Sequence, residues 1–195
     1  HLIADEIAVG FGRTGTMFAC QQAAITPDFM CLSKGITSGT LPLSVVLTGD
    51  AVFDAFYHDY HDDKAFLHSH SYTGNPLACA AACETLRIFE EDDVIIANRP
   101  KIAHLQAAVR QRFAGHKHVS DIRSTGWITA VSLAADPAAG RPFDERDRTG
   151  FRIYREAIKR GAWLRNLGDM IYFMPPYVIT LEEIDRLTDI ALDAV

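Results

Sequence analysis

Long apolar runs are missing from this sequence: each is interrupted within about ten residues, well short of the roughly 20 that a membrane-spanning helix needs. That leaves no candidate for a membrane-spanning helix within these residues. Lysine and arginine, 19 against 25 acids, concentrate nowhere, and the net charge of -6 has the wrong sign for a nucleic-acid binder. Cysteine is sparse. The four, Cys20, Cys31, Cys79 and Cys83, show no C-x-x-C spacing and read as buried free thiols of a reducing compartment, with a zinc site as the less favoured alternative. No basic segment leads into an apolar core as in a secretory signal, so a cytoplasmic protein is expected. Internal repeats and low-complexity stretches are also missing. What remains, 48% apolar and 23% charged, is the composition of an ordinary globular protein.

The sequence opens on His1 and enters a strand at once. A strand over residues 2–9 needs neighbours on both faces, so the sequence is expected to be the later portion of a longer protein, from a truncated reading frame or a cleavage, with part of any site upstream. Two landmarks stand twenty-nine residues apart: Asp5, in Ile3-Ala4-Asp5-Glu6, and Lys34, after the apolar run Phe29-Met30-Cys31-Leu32. An acid ending one buried strand and a lysine just beyond the next can meet over the carboxyl edge of a parallel sheet, where α/β proteins bind ligands. Pyridoxal phosphate chemistry requires that pairing. A Schiff-base lysine must be able to lose its proton, and a carboxylate beside the pyridine nitrogen keeps that nitrogen protonated so the ring can accept electrons. Asp5 suits the second role and Lys34 the first, although each dipeptide also suits a cap or a solvated turn.

Beyond these landmarks the pattern alternates compactly. A loop at 10–15, a short helical stretch at 18–24, strands at 29–32 and 43–48, and a Gly/Ser/Thr-rich loop at 34–42 between them suggest a mainly parallel sheet. A helix is expected over 50–60 with Asp50 as its cap, and a stronger one over 77–91 with the alanines and Cys83 on its packed face, continued by Leu86, Ile88 and Phe89. A further helix is expected over 94–113, interrupted or restarted at Pro100. After Gly115 the character changes: strands at 119–122 and 127–133, a helix at 146–160, a strand pair at 162–165 and 170–173 joined by Asn166-Leu167-Gly168-Asp169, and a last amphipathic helix opened by Thr180 and Glu183 as a capping box. The boundary is placed near residue 92.

Three further signals have competing readings. Gly10-Phe11-Gly12-Arg13-Thr14-Gly15 fits the dinucleotide pattern G-x-G-x-x-G, but a true fingerprint opens a long helix and is followed by a strand-end acid, whereas here the acids precede the glycines. The glycines fit a tight loop better than a nicotinamide site. The close pairs His58/His61, His68/His70 and His116/His118 lack a converging third ligand type and read as surface or loop histidines. His68 and His70 stand out because they border Ser71-Tyr72-Thr73, a hydroxyl cluster suited to phosphate oxygens. Arg165, after Ala162-Trp163-Leu164, can clamp a carboxylate with two parallel hydrogen bonds. The same position also suits a surface ion pair.

Taken together, Leu2-Ile3-Ala4-Asp5-Glu6, the 10–15 loop, Pro27-Asp28, Ser33-Lys34-Gly35 and Tyr72-Thr73-Gly74-Asn75-Pro76-Leu77-Ala78 resemble the C-terminal half of a class III pyridoxal phosphate aminotransferase. The resemblance runs over all 195 residues. It implies an α/β fold: the C-terminal part of a fold-type I transferase, with 1–91 as a partial large pyridoxal-phosphate-binding domain and 92–195 as a small α+β domain. It implies Asp5 as the pyridine-nitrogen acid, Lys34 as the Schiff-base lysine, and Ser71, where many members carry threonine, as a phosphate donor to the neighbouring subunit of a homodimer. Arg165, Tyr172 and Gly35 fall at substrate-pocket positions. Trp163-Leu164-Arg165 with Met174-Pro175-Pro176-Tyr177 is similar to the biotin-pathway branch that aminates 8-amino-7-oxononanoate with S-adenosylmethionine as donor. Family members carry a glycine-rich phosphate loop and a ring-stacking aromatic upstream of the acid strand, outside these residues, so the chain alone is expected to be a poor catalyst at best. A class III enzyme using lysine or an ω-amino acid as donor, a nicotinamide oxidoreductase and a non-catalytic packing module are the alternatives.

Overall fold

Three short strands at the front of the chain form one mixed sheet in the computed structural model, which describes every residue from His1 to Val195. β1 (Ile3–Asp5) pairs parallel with β2 (Phe29–Leu32), placing Asp5 opposite Cys31. β3 (Val45–Thr48) runs antiparallel to β2. The expected mainly parallel sheet is thus parallel in one pair only. A parallel return needs a crossover, usually a helix, and residues 33–44 supply only a 3-10 turn (Lys34–Thr37) and a loop that reverses the chain. β1 is also shorter than the expected 2–9, because the amide of Gly10 donates to the carbonyl of Glu6 at 2.9 Å and the chain turns there. It is an edge strand, with Ile3 64% exposed, so the expected burial on both faces is not found.

α1 (Asp50–Asp54) is shorter than expected and is capped by Gly49, with Asp50 inside its first turn. α2 (Pro76–Glu91) starts sharply, as Asn75 Oδ1 accepts from the amides of Leu77 and Ala78, at 2.9 and 3.4 Å, and Pro76 occupies the first turn. Its buried face is Ala78, Ala82 and Thr85, at helical spacing. The alanines Ala78 and Ala82 and the partly buried Phe89 are packed as expected, whereas Cys79, Cys83, Leu86 and Ile88 are exposed, and of the four thiols only Cys20 is buried. The core on this side of the chain is Phe11, Leu32, Ile36 and Ala82, with Phe18, Met30, Leu43 and Phe89 packed against it.

The chain divides into two compact units, His1–Ile96 and Ala97–Val195. α3 (Val94–Ala97) ends at the division and α4 (Arg99–Phe113) starts anew with Pro100 in its first turn, where a missing amide costs nothing. In the second unit β4 (Val119–Thr125) and β5 (Ile128–Leu133) form a hairpin turned by Gly126, whose φ is +52°. α5 (Thr149–Lys159) follows a 3-10 turn at Glu145–Asp147, so the helix expected from 146 begins at 149. β6 (Arg165–Leu167) and β7 (Met170–Phe173) make a second hairpin, the first strand starting where the expected one ended. The sheet order is β4-β5-β7-β6, antiparallel throughout. α6 (Leu181–Ala194) opens with the expected capping box: the Glu183 amide donates to Thr180 Oγ1 at 3.1 Å, and the Thr180 amide to Glu183 Oε2 at 2.8 Å.

Helices α4, α5 and α6 build the core of this unit against its sheet. Leu105, Val109, Phe113, Trp127, Val131, Ile171, Phe173 and Ile184 are buried there, each worth about 1.5–3 kcal/mol of apolar burial. Trp127 stacks on Tyr177 at 5.6 Å, and Phe113 meets Phe173 edge-on at 6.2 Å. Arg112 on α4 reaches Asp189 at 2.6 Å and Asp185 at 3.2 Å on α6. Gly150, in the first turn of α5, lies directly against the carbonyl of Gly168 in the β6–β7 turn; a Cβ there would stand 2.0 Å from that oxygen. Only glycine lets helix and hairpin approach this closely.

Candidate active site

Asp5 closes β1, and its Oδ1 accepts from the Ile7 amide at 3.0 Å, which fixes the carboxylate at the strand end. The next residue goes the other way. Glu6 is 2% exposed, and its carboxylate accepts from the amides of Ala19 and Cys20 at 2.9 and 2.8 Å. It ties the far end of the glycine loop back to the sheet edge. Burial pushes the Cys20 thiol up, and the neighbouring Glu6 carboxylate pushes it further.

Lys34 stands three residues beyond Cys31, the strand partner of Asp5. The two strands are parallel, so acid and lysine both leave from the carboxyl edge. Ser33 Oγ donates to the Leu43 carbonyl and Thr37 Oγ1 to the Leu41 carbonyl, each at 2.6 Å, bracketing the lysine turn. The Lys34 side chain is exposed and its φ is +45°, in the left-handed region. Gly35 faces the Phe11 ring closely.

Ser71, Tyr72 and Thr73 lie exposed in the segment before α2. The His70 amide donates to Thr73 Oγ1 and the Tyr72 amide to His70 Nδ1, both at 3.1 Å, so this segment has an internal shape of its own. The histidine pairs gather into no cluster of three metal-ligating side chains. The 10–15 loop leads into a five-residue 3-10 turn, Ala19–Ala23, not the long helix a dinucleotide site uses.

In the second unit Arg165 and Tyr172 are cross-strand partners, with Ala130 on the other side of Tyr172. Arg165 lines a cleft of about 210 Å³ with Phe151, Tyr154, Trp163, Leu164 and Asn166. Its floor is aromatic: Phe151 stacks on Tyr154 at 5.8 Å, and Tyr154 meets Trp163 edge-on at 6.3 Å. An apolar cleft bordered by Arg165, with the Arg148 guanidinium 4.4 Å over the Phe151 ring, suits a carboxylate at the end of a hydrocarbon chain.

These donor types suit pyridoxal phosphate: a carboxylate and a primary amine at one sheet edge, hydroxyls in an exposed segment, and an arginine beside an apolar cleft. All of residues 1–195 match the family described as Aminotransferase class-III. The chain belongs to the class-III aminotransferases. A relative from Aquifex aeolicus named adenosylmethionine-8-amino-7-oxononanoate aminotransferase is 45% identical over 188 residues, covering 96% of this chain and 41% of the relative. The crystal structure of the protein of that name from Methanocaldococcus jannaschii superposes at TM-score 0.93 with 37% identity, over 98% of this chain and 44% of that one. A thermostable omega transaminase from Pseudomonas jessenii superposes at TM-score 0.92 with 32% identity, over 98% and 42%. The fold is therefore that of the matching part of a class-III transaminase, and the chain spans well under half the length of the curated relatives it matches.

Sequence reasoning passed over two residues around this class-III edge, Glu6 and Phe11. For Phe11 the signal is its place as the lone large apolar residue of the glycine loop; the burial of Glu6 follows from β1 ending at Asp5, which the sequence does not mark.

Proposed function

We propose that the chain is the portion of a class-III aminotransferase that carries the cofactor lysine and the ring-nitrogen acid. The complete protein transfers an amino group from S-adenosylmethionine to 8-amino-7-oxononanoate, giving 7,8-diaminononanoate for biotin synthesis. The observation that carries this is the placement of Asp5 and Lys34 at the carboxyl ends of two parallel strands; the 45% identity to the Aquifex aeolicus protein of that name supports the substrate pair. A homodimer and a cytoplasmic setting belong to the same reading, the latter in keeping with four free cysteines.

Pyridoxal phosphate, when bound, supplies the electron sink that makes a proton on the donor carbon removable. Asp5 keeps the ring nitrogen protonated by offering it a negative charge. Lys34 Nζ, once a free amine, takes the proton from the donor carbon and delivers it back on the other side of the exchange. Ser71 offers a hydroxyl to the phosphate. Arg165 anchors the distal carboxylate of the oxo acid, and Tyr172 and Gly35 border the substrate. The test is to mix the purified chain with pyridoxal phosphate, reduce with borohydride and map the label by mass. Label concentrated on Lys34 over Lys64, Lys101, Lys117 and Lys159, and lost in Lys34→Ala, supports the reading; an even spread over the five lysines sinks it for this chain.

A second reading, a class-III enzyme using lysine or an ω-amino acid as donor, is favoured by the likeness to the omega transaminase. The donor that converts the bound cofactor to its amine form separates the two.

A further inference from the structure

We infer that Phe11 is a positioning residue for Lys34: its ring, seated on the Cα of Gly35, holds the lysine in a left-handed backbone conformation at the carboxyl edge of the sheet. The functional meaning rests on the proposed role of Lys34; the geometry does not.

Phe11 and Lys34 are both non-glycine residues with positive φ, +55° and +45°. For a bulky side chain such a φ is unfavourable and persists only where the surroundings over-determine it. Here the contact that bears on both is that of the Phe11 ring with Gly35, the residue after the lysine. A Cβ built on Gly35 would fall 2.8 Å from Phe11 Cβ and 2.9 Å from Phe11 Cδ2, so the residue after the lysine is glycine because the ring fills that space. The ring itself cannot drift. Phe11 is 3% exposed, meets Phe18 and Phe89 edge-on at 5.7 and 6.4 Å, and shares a buried cluster with Leu32 and Ile36, the residues two before and two after Lys34.

The loop that delivers Phe11 is rooted beside Asp5. A Cβ on Gly10 would stand 2.8 Å from the Glu6 carbonyl, and Gly12 has a φ of +87°. The pattern Gly10-Phe11-Gly12 thus carries an aromatic wedge from the acid's strand to the lysine's turn, and this is the use the glycine motif finds in place of nucleotide binding.

The test uses the 195-residue chain, isotope-labelled for NMR. The Cα shift and the HN–Hα coupling of Lys34 separate left-handed from ordinary backbone, and the resonances of Ala78 and Ala82 report whether the first unit is folded. Phe11→Tyr, which keeps the ring, is expected to leave Lys34 unchanged. Phe11→Ala and Gly35→Ala are expected to shift Lys34 to ordinary helical values and to lower its share of borohydride-fixed pyridoxal phosphate severalfold, with Lys101 and Lys117 as internal references. Should either variant unfold the unit, Phe11→Leu, which keeps the bulk but not the ring, is read in the same way. A Lys34 that keeps its left-handed signature in the folded variants overturns the inference. If wild-type label fails to favour Lys34, the cofactor reading fails, while the backbone signature still decides the role of Phe11.

Discussion

Arg165 and Tyr172 face each other across the β6–β7 pair, cross-strand partners on one side of the sheet. Cross-strand partners stand about 4.5–5.5 Å apart at Cβ, so under the proposed role the guanidinium and the phenol would border the same carboxylate. Arg165→Ala should therefore weaken the oxo acid and spare the amine donor. A charged hydrogen-bonding partner is worth about 1.5–3 kcal/mol, or on the order of tenfold to a hundredfold. In a complete class-III chain carrying this segment, the KM for 8-amino-7-oxononanoate should rise by that factor, with the donor half-reaction unchanged. Equal losses in both halves would assign Arg165 to structure.

Glu6→Ala should open the loop that follows Asp5. It strips the amides of Ala19 and Cys20 of their acceptor, at about 1–3 kcal/mol for the buried donors. The Cys20 thiol, held up by burial and by Glu6, should react faster with a disulfide reagent. An unchanged rate would show that the loop stays closed without the carboxylate.

Thr129 is fully buried, and its hydroxyl has no partner. Thr129→Val keeps the shape and removes the orphaned oxygen, so the second unit should gain about 1 kcal/mol. Urea unfolding reads this directly. A loss of stability would mean that the hydroxyl is bonded in solution.

His116 should make the second unit weaker in mild acid. Burial, then the charges of His118 and Lys117, hold its ring below the ordinary histidine value of 6.5. Below that value the unfolded chain binds the proton more readily than the folded one, so the contribution is complete above 6.5 and is lost as pH falls toward the lowered folded value. His116→Gln should flatten the urea midpoint between neutral and mildly acid pH. An identical slope in the variant would place the dependence on other groups.

Much of this was legible in the residues. β2 matches its expected bounds because an apolar run lies between Pro27-Asp28 and Ser33, and α6 was announced by Thr180 and Glu183. Three features were not legible. The direction of β3 is decided by what the 33–44 loop does in space, not by its own residues. The packed face of α2 was legible in Ala78, Ala82 and Phe89, but the outward turn of Leu86 and Ile88, despite their size, was not. The inward turn of Glu6 depends on β1 ending at Asp5, which an apolar run through Val9 conceals.

The contact between Gly150 and the Gly168 carbonyl limits how this protein can be redesigned. Phe151, Tyr154 and Trp163 border the arginine cleft and are the positions to exchange if the proposed carboxylate site is to be altered. A library that also diversifies position 150 would consist mostly of chains whose β6–β7 hairpin has lost its seat, and selection from it would report on folding before it reported on chemistry.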